Sequence, residues 1–302
     1  MASRSRPPGP GAPRGRRGSA PPREPHTRAG RDRASAESPS RPPARRSAPA
    51  LALPAPEARR AGLAAVLGRS PETIPETALD RLTTLLELLE TWTRRINLVG
   101  PATVPDAWAR HVLDSARLVP LIPPGTTRLA DLGSGAGFPG LVLAILGASD
   151  GVSDGAPLDV HLVESDQRKV AFLREAARVT DTPVTLHAQR IEAVAPLEAA
   201  VVTARALAPL PDLLPLVTRH LTPEGVALLP KGRTAADELT ACADQWIMRV
   251  DRCPRSVPPE SSAPSSPSAA ASNAAGNEAA DETLGSGPIL ILREIRRVVP
   301  DT

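Results

Sequence analysis

The feature that most constrains the fold of this chain is a glycine-rich segment near its middle. Residues 131–140 read DLGSGAGFPG; the apolar pair Leu129-Ala130 precedes them and an apolar run, 141–146, follows. Glycines at alternate positions let a backbone turn tightly and approach a ligand without interference from a Cβ atom. The segment therefore predicts the turn that joins the first strand of a parallel α/β sheet to a helix, at a ligand-binding edge.

The spacing of the glycines bears on which ligand this turn binds. A dinucleotide site has the pattern G-x-G-x-x-G. Counted from Gly133 the pattern fails at Phe138, and counted from Gly135 it is completed by Gly140 but places Phe138-Pro139 where a helix should open onto a pyrophosphate. S-adenosylmethionine has no phosphates, and an acid two residues before the first glycine, here Asp131, fits its binding loops. We favour a methyltransferase over a dinucleotide enzyme, with a turn that binds nothing as a third possibility.

Composition divides the chain into regions of different character. Residues 1–50 contain twelve arginines and three acids, a formal charge of +9, which leaves −6 for residues 51–302. Such a segment has too few apolar residues to offset its ordering entropy, and we predict a disordered Arg/Pro-rich tail. The Ser/Ala/Pro-rich stretch 254–288 is predicted to be a low-complexity insertion. We expect a helical region at 51–124 and one catalytic domain at 125–302 that contains this insertion.

The remaining bulk properties exclude several classes of protein. Cys242 and Cys253 are the two cysteines, too few for a disulfide framework and without the spacing of a zinc site. No apolar run reaches the roughly 18 residues that a membrane span needs. Lys169 and Lys231 are the lysines among 36 cationic residues, a bias typical of GC-rich bacterial genes. We therefore expect a protein of the bacterial cytoplasm, with no metal and no membrane partner, acting as a monomer.

Apolar periodicity predicts an alternation of strands and helices after the turn. Leucines at three- and four-residue steps predict a helix over 80–96, and helices are also expected at 55–67 and 104–118. After the turn we predict strands at 158–163, 184–187, 199–203 and 225–229, helices at 167–179, 210–220 and 235–246, and a terminal hairpin of 248–252 with 289–293. This order predicts a doubly wound, mostly parallel sheet that binds ligands at the carboxyl ends of its strands.

Several polar residues fall at those strand ends. Glu164 follows the second strand and could accept both ribose hydroxyls of an adenosyl group, or simply cap the next helix. Ile191-Glu192 follows the third strand, where a corner of this kind can contact adenine or can be an ordinary helix start. Arg205 follows the fourth strand. A guanidinium cannot act as a base, but it can bind a carboxylate, a phosphate or a guanine edge, or form a salt bridge at the edge of the core.

Further cationic residues could contact a nucleic acid. Lys231 with its neighbours forms a cationic corner after the fifth strand. Arg110 and Asp114 are four residues apart and could pair along one helix face. His111, between them, is more readily explained as a buried, hydrogen-bonded imidazole than as a catalytic one. With five aromatic residues and no tyrosine, base stacking has few platforms, so Arg110, Arg205, Lys231 and the N-terminal arginines are expected to bind phosphates.

Taken in order, five segments resemble a known family, the bacterial small-subunit rRNA guanine-N7 methyltransferases of the glucose-inhibited division protein B (RsmG) type. They are Asn97-Leu98-Val99, the block 110–115 (RHVLDS), the turn 131–140, the segment 203–206 (TARA) and Lys231-Gly232. The resemblance spans roughly 80–250 and the last strand. The RHVLDS block together with Gly-Phe-Pro-Gly is specific to the family, whereas the glycine turn alone would not be.

The resemblance implies a Rossmann-like class I fold, S-adenosylmethionine as cofactor, and 16S rRNA of the small ribosomal subunit as partner. It places cofactor contacts on Gly133, Phe138, Ile191, Glu192 and Arg205, to which the turn adds Asp131, Gly135, Gly137 and Glu164. Arg110, His111, Asp114 and Lys231 are the candidates on the RNA side. A methyltransferase acting on a small molecule or a protein, and a non-enzymatic ribosome-assembly factor, stay open as alternatives.

Overall fold

The computed structural model describes residues 50–148, 158–254 and 287–298, all within the compact unit Ser47–Thr302. The predicted tail 1–50 and the insertion 254–288 therefore fall almost entirely outside the described residues. The division into a helical region and a catalytic domain stays a prediction. Within the described ranges, no helix is both long and apolar enough to cross a membrane.

The described helices are α1 Pro56–Leu67, α2 Glu76–Thr93, α3 Gly140–Ala148, α4 Gln167–Val179, α5 Leu210–His220 and α6 Ala235–Thr240. The strands are β1 Arg128–Leu132, β2 Asp159–Val163, β3 Thr185–His187, β4 Ala199–Thr203, β5 Leu221–Pro230, β6 Trp246–Cys253 and β7 Ile289–Arg297. Short helical turns at Pro101–Thr103 and Ile191–Ala193 also matter for the site.

The strands form one sheet in the order β3-β2-β1-β4-β5-β7-β6. The first five in this order run parallel, and β7 is antiparallel to both β5 and β6. Leu132 is in register with Val163, and Asp131 with Thr203, so the carboxyl ends of β1, β2 and β4 meet at one edge. After β1 the chain forms β2 on one side of β1 and later β4 on the other side. A ligand crevice is expected where the strand order reverses in this way, at the edge that holds these carboxyl ends.

Helices cover both faces of the sheet, as expected when parallel strands are apolar on both sides. On one face, α1 to α4 share one core with the sheet, and the leucines of α2 at 82, 85, 86 and 89 are completely buried. On the other face, α5 contributes Leu210, Leu213, Leu214 and Val217 to a second core. The predicted doubly wound fold and the antiparallel terminal hairpin are confirmed, and the hairpin pairs Cys253 with Ile289.

The bounds predicted for two helices are wrong. Instead of one helix over 104–118, a helix with π geometry covers Trp108–Leu113 and continues for one turn to Ala116; we call residues 108–116 the π segment. The helix predicted over 235–246 ends at Thr240, and Trp246 begins β6. Trp246 is buried in the second core, and that packing outweighs the helical preference of the residues before it.

Candidate active site

The glycine turn after β1 has a backbone that favours glycine. Gly133, Gly135 and Gly137 have φ angles of +71°, +56° and +83°, which residues with a side chain rarely adopt. The amides of Gly133 and Ser134 both donate to the carbonyl of Val163, at 2.9 and 3.0 Å. The turn is therefore held by the end of β2 as well as by β1.

Gly135 differs from the other glycines of the turn in what it faces. A Cβ atom added at Gly133, Gly137 or Gly140 would lie 2.7, 2.5 or 2.4 Å from the nearest side-chain atom. At Gly135 the nearest atom would be the carbonyl oxygen of Gly133, at 3.8 Å. Three of these glycines thus permit close packing, whereas Gly135 leaves open space that a ligand could enter.

Glu164 lies beside Gly135, directly after β2. Its Oε2 accepts from the Gly135 amide at 2.9 Å and its Oε1 accepts from the Asp166 amide at 2.8 Å. The cap of α4 is Asp166, which accepts from the Arg168 amide at 2.9 Å, so the alternative in which Glu164 caps this helix is not found. Because a carboxylate oxygen can accept more than one hydrogen bond, Glu164 can hold the turn and still accept from ligand hydroxyls.

Asp131 supports the same turn from behind. The residue is 1% exposed, and its Oδ2 accepts from the Gly140 amide at 3.1 Å, at the start of α3. Burial raises the pKa of Asp131 to about 7, and hydrogen bonds from Ser134 and Gly140 oppose this only in part. Its Oδ1 has no hydrogen-bond partner, and neither has the Thr203 hydroxyl at the paired position of β4. Because its carboxyl is buried, Asp131 can act on a ligand through the turn that it holds rather than by direct contact.

Ile191 and Glu192 lie in the helical turn that follows β3. The Glu164 amide donates to the His187 carbonyl at 3.1 Å, which keeps the ends of β2 and β3 together. Ile191 is buried and Glu192 is exposed, and the Ile191 carbonyl lies 3.2 Å from Nε2 of His220. The turn thus offers an apolar residue and a polar residue at the same sheet edge as Glu164.

Arg205 follows β4 and is held among residues of the π segment. Its Nη1 lies 3.5 Å from Asp114 Oδ2 and 3.3 Å from the Arg110 carbonyl oxygen, and its Nη2 lies 3.1 Å from His111 Nδ1. Its guanidinium carbon is 5.5 Å from the centre of the Phe138 ring, within the range of a cation–π interaction. The salt bridge at the core edge that the sequence left open is present, and it attaches Arg205 to the end of the glycine turn.

His111 is buried and hydrogen-bonded, as the sequence favoured. It is 1% exposed, its ring stacks on Phe138 with centres 5.0 Å apart, and its Nε2 lies 3.0 Å from the Thr103 hydroxyl. Burial, and then the charges of Arg205 and Arg110, hold the pKa of His111 well below its usual value. In this environment His111 is neutral and is not placed to contact RNA.

The pairing of Arg110 with Asp114 that the sequence left open is not found. Arg110 lies 3.9 Å from Asp106 and its side chain is 43% exposed, whereas Asp114 is 9% exposed and faces Arg205. The π geometry of the segment separates residues that an α-helix would place on one face. Of the candidates on the RNA side, Arg110 is therefore the one whose side chain reaches solvent.

Lys231 is not placed to contact a phosphate, contrary to expectation. It is 7% exposed, and its Nζ lies 2.8 Å from Glu238 Oε2 and donates to the Ala208 carbonyl at 3.0 Å. The Leu210 amide also donates to Glu238, at 2.8 Å. Lys231 and Glu238 together hold the connection between β4 and α5, and this connection contains Arg205.

Three residues that matter here escaped the sequence analysis. Thr103 contacts His111, Leu207 packs against Gly133, and Glu238 pairs with Lys231. None of them stands in a motif. Leu207 is far along the chain from Gly133, and Thr103 and Glu238 meet nearby partners through irregular backbone, so a single sequence offers no signal for them. Among the residues that the structure describes, no group of three His, Cys, Asp or Glu side chains is arranged to hold a metal.

Comparison with known proteins identifies the family. A family model described as rRNA small subunit methyltransferase G (GidB) matches residues 78–257. The ribosomal RNA small subunit methyltransferase G of Paramagnetospirillum magneticum is 58% identical over 186 residues, which are 62% of this chain and 86% of that protein. The protein of the same name from Rhodospirillum centenum is 54% identical over 198 residues, 66% of this chain and 85% of that protein.

Among solved structures, the complex of M. jannaschii TYW2 with AdoMet covers 62% of this chain and 76% of its own, at 14% identity and a TM-score of 0.39. This score is too low to add to what the strand order already establishes. The order β3-β2-β1-β4-β5-β7-β6 is that of a class I S-adenosylmethionine-dependent methyltransferase. With that sheet, the glycine turn and a match over residues 78–257, the chain belongs to the rRNA small subunit methyltransferase G family.

Proposed function

We propose that this chain transfers the methyl group of S-adenosylmethionine to N7 of a guanine in the decoding-region loop of 16S rRNA. The observation that carries the proposal is the open space at Gly135, which lies beside Glu164 and on the same sheet edge as Arg205. Family membership supports the cofactor and the rRNA substrate. The choice of guanine N7 as the methylated atom rests on the family resemblance of the sequence and on the chemistry of N7.

The glycine turn suits S-adenosylmethionine better than a dinucleotide. A pyrophosphate binds the free amides at a helix N-terminus, but the Gly140 amide at the start of α3 already donates to Asp131. The Glu164 carboxylate lies beneath the turn, where it would repel a phosphate and favour a cation. S-adenosylmethionine carries a sulfonium and an ammonium and no phosphate. This arrangement argues against the alternative of a dinucleotide enzyme.

Each part of the proposed cofactor site has a candidate residue. Glu164 would accept hydrogen bonds from the ribose hydroxyls, and the turn at Ile191-Glu192 would border adenine. The backbone of Gly133, Gly135 and Gly137 would pass along the methionine portion, with Phe138 closing the end of the turn. Arg205 would bind the carboxylate of the cofactor, because a guanidinium forms paired hydrogen bonds with a carboxylate.

The residues at the sheet edge fit a reaction that needs no general base. S-adenosylmethionine, when bound, supplies a methyl group on a positively charged sulfur. Guanine N7 has a lone pair in the ring plane and no proton, so the protein has only to position two reactants in line. Arg205 is always protonated, and buried His111 has two assigned hydrogen-bond partners. The Hoogsteen edge is reached most readily in an unpaired base.

The proposed RNA-binding surface is identified by exposed positive charges. Arg110 lies on the π segment and its side chain is exposed. The main-chain carbonyl of Arg110 contacts Arg205. The arginines at 1–50 would add contacts to phosphates that depend on salt concentration. Action as a monomer in the bacterial cytoplasm stays a prediction, which light scattering and cell fractionation would check.

Methyl transfer to ribosomal subunits tests the proposal. Small subunits lacking the modification would be incubated with cofactor labelled in the methyl group, and the labelled nucleotide located by mass spectrometry. We expect a single 7-methylguanine in 16S rRNA. Label in a protein or a small molecule would support the alternative substrates. No label despite cofactor binding, with subunit assembly altered, would support the assembly factor.

A further inference from the structure

The orientation of Arg205 depends on one acceptor that a proton can block. Two of the groups that contact Arg205, the Asp114 carboxylate and the Arg110 main-chain carbonyl, are hydrogen-bond acceptors. The third is Nδ1 of His111, at 3.1 Å. An imidazole nitrogen accepts only when it carries no proton, so this contact requires a particular tautomer.

Thr103 selects that tautomer. Its hydroxyl donates to the Gly100 carbonyl at 2.8 Å and lies 3.0 Å from Nε2 of His111. A hydroxyl has one hydrogen, and because a carbonyl can only accept, that hydrogen points to Gly100. Nε2 of His111 must then donate to Thr103, which leaves Nδ1 without a proton and able to accept from Arg205.

The surroundings of His111 keep the second proton away. The charged groups near the ring are Arg110 and Asp114 from the π segment itself and Arg205 from the end of β4. Phe138 and Thr103, from the other elements in contact, are uncharged. Both arginines oppose protonation, and so does the almost complete burial of the ring.

We propose that His111 is a positioning residue, whose Nε2–H tautomer is selected by Thr103 and whose Nδ1 orients the Arg205 guanidinium toward the cofactor. The assignment rests on the proposed function, because it takes Arg205 to bind the cofactor. Protonation of His111 would set an N–H group against the N–H groups of Arg205. The cofactor site is therefore sensitive to acid through a residue that does not touch the cofactor.

A matched pair of variants at Thr103 tests the tautomer. Thr103→Val keeps the shape of the side chain and removes the acceptor, whereas Thr103→Ser keeps the hydroxyl. We expect Thr103→Val to weaken cofactor binding by about tenfold, because Nε2 of His111 loses its acceptor and the tautomer that accepts from Arg205 is no longer selected. Thr103→Ser should stay within about twofold of the wild type. Calorimetry with S-adenosylmethionine measures both, and equal affinities in the two variants would overturn the proposal.

A second comparison, at His111 itself, separates positioning from a purely structural role. In His111→Asn the amide oxygen can take the place of Nδ1 and cannot be protonated, whereas His111→Leu has no acceptor. We expect the leucine variant to bind cofactor about tenfold more weakly. The asparagine variant should bind well and should lose part of the acid sensitivity that we expect of the wild type below the usual titration range of histidine. Asp131 titrates in both proteins and cancels from the comparison.

Two results would contradict the positioning role. One is a leucine variant that folds and binds like the wild type. The other is an asparagine variant whose affinity falls with acid as steeply as that of the wild type. Neither measurement uses methyl transfer, so they remain informative if 16S rRNA is not the substrate. A wild-type chain that binds no cofactor would instead contradict the proposed function.

Discussion

The two halves of the candidate site are built in different ways. The half at β1 and β2 consists of the glycine turn and Glu164, whose parts lie within about one strand–helix–strand unit of the sequence. The half around Arg205 brings together the helical turn at 101–103, the π segment, Phe138 and the end of β4, and Arg205 is 94 residues from His111. The first half is set by local backbone rules, whereas the second exists only when the whole sheet has formed.

The largest effect should come from the long-range half. Arg205→Ala removes the guanidinium that the π segment holds and should abolish methyl transfer, a loss of at least about a thousandfold, since misplacement of reactants is costly. Circular dichroism should show the fold intact. Arg110→Ala, whose exposed side chain lies 3.9 Å from Asp106, serves as the control and should change mainly the affinity for RNA. Near-normal transfer by Arg205→Ala would show that Arg205 is only structural.

A smaller but still large effect is expected in the local half. Gly135→Leu fills the open space and should weaken cofactor binding by about a hundredfold, the cost of overpacking a site. Gly68→Leu is a matched control, because Gly68 also has a positive φ, +65°, and open space around it at the end of α1. Both variants should lose similar stability in thermal unfolding. If both also bound cofactor equally well in calorimetry, the open space at Gly135 would not be the cofactor site.

Asp131 links stability to pH within the same half. The pKa of its carboxyl is raised from 3.8 to about 7 by burial, so the folded protein binds more protons than the unfolded chain between these values. The free energy of unfolding should fall as pH rises through this window. The side chain introduced by Asp131→Asn does not titrate. The free energy of unfolding of this variant, relative to that of the wild type, should therefore increase from pH 4 to pH 8, by up to about 4 kcal/mol. Urea unfolding across this range measures it, and a constant difference would contradict the shifted pKa.

The smallest effect is expected from the N-terminal arginines, which belong to neither half. Deletion of residues 1–50 removes a formal charge of +9 and should leave the fold and cofactor binding unchanged. Affinity for the ribosomal subunit should fall modestly, and more at low salt than at high salt, because counterion release supplies such contacts. Filter binding at several salt concentrations measures the slope. A loss of cofactor binding would show that the tail takes part in the site.

The contrast between the two halves explains what could be predicted from the sequence. Strands, helices and the glycine turn follow from periodicity and from backbone preferences, and they were confirmed for most elements. The burial of Lys231 and the separation of Arg110 from Asp114 were not predicted. Lys231 pairs with Glu238 across the connection between β5 and α6, and Asp114 faces Arg205, which is distant in the sequence. The helix expected over 235–246 failed for the same reason, since Trp246 joins β6. The cofactor and RNA roles of individual residues stay predictions.

The register of the last two strands has a practical consequence for engineering. Cys253 and Ile289 lie directly opposite one another, beside the end of β5 where Pro230 pairs with Ile289. A polypeptide that joins Cys253 to Ile289 therefore leaves the sheet and returns to it at the same position. Lengthening such a connection costs little loop-closure entropy. A fluorescent reporter or an affinity handle could be spliced in at this spot without reshaping the sheet. It would then lie at the edge of the sheet that holds the carboxyl ends of the parallel strands, the same edge as the proposed cofactor site.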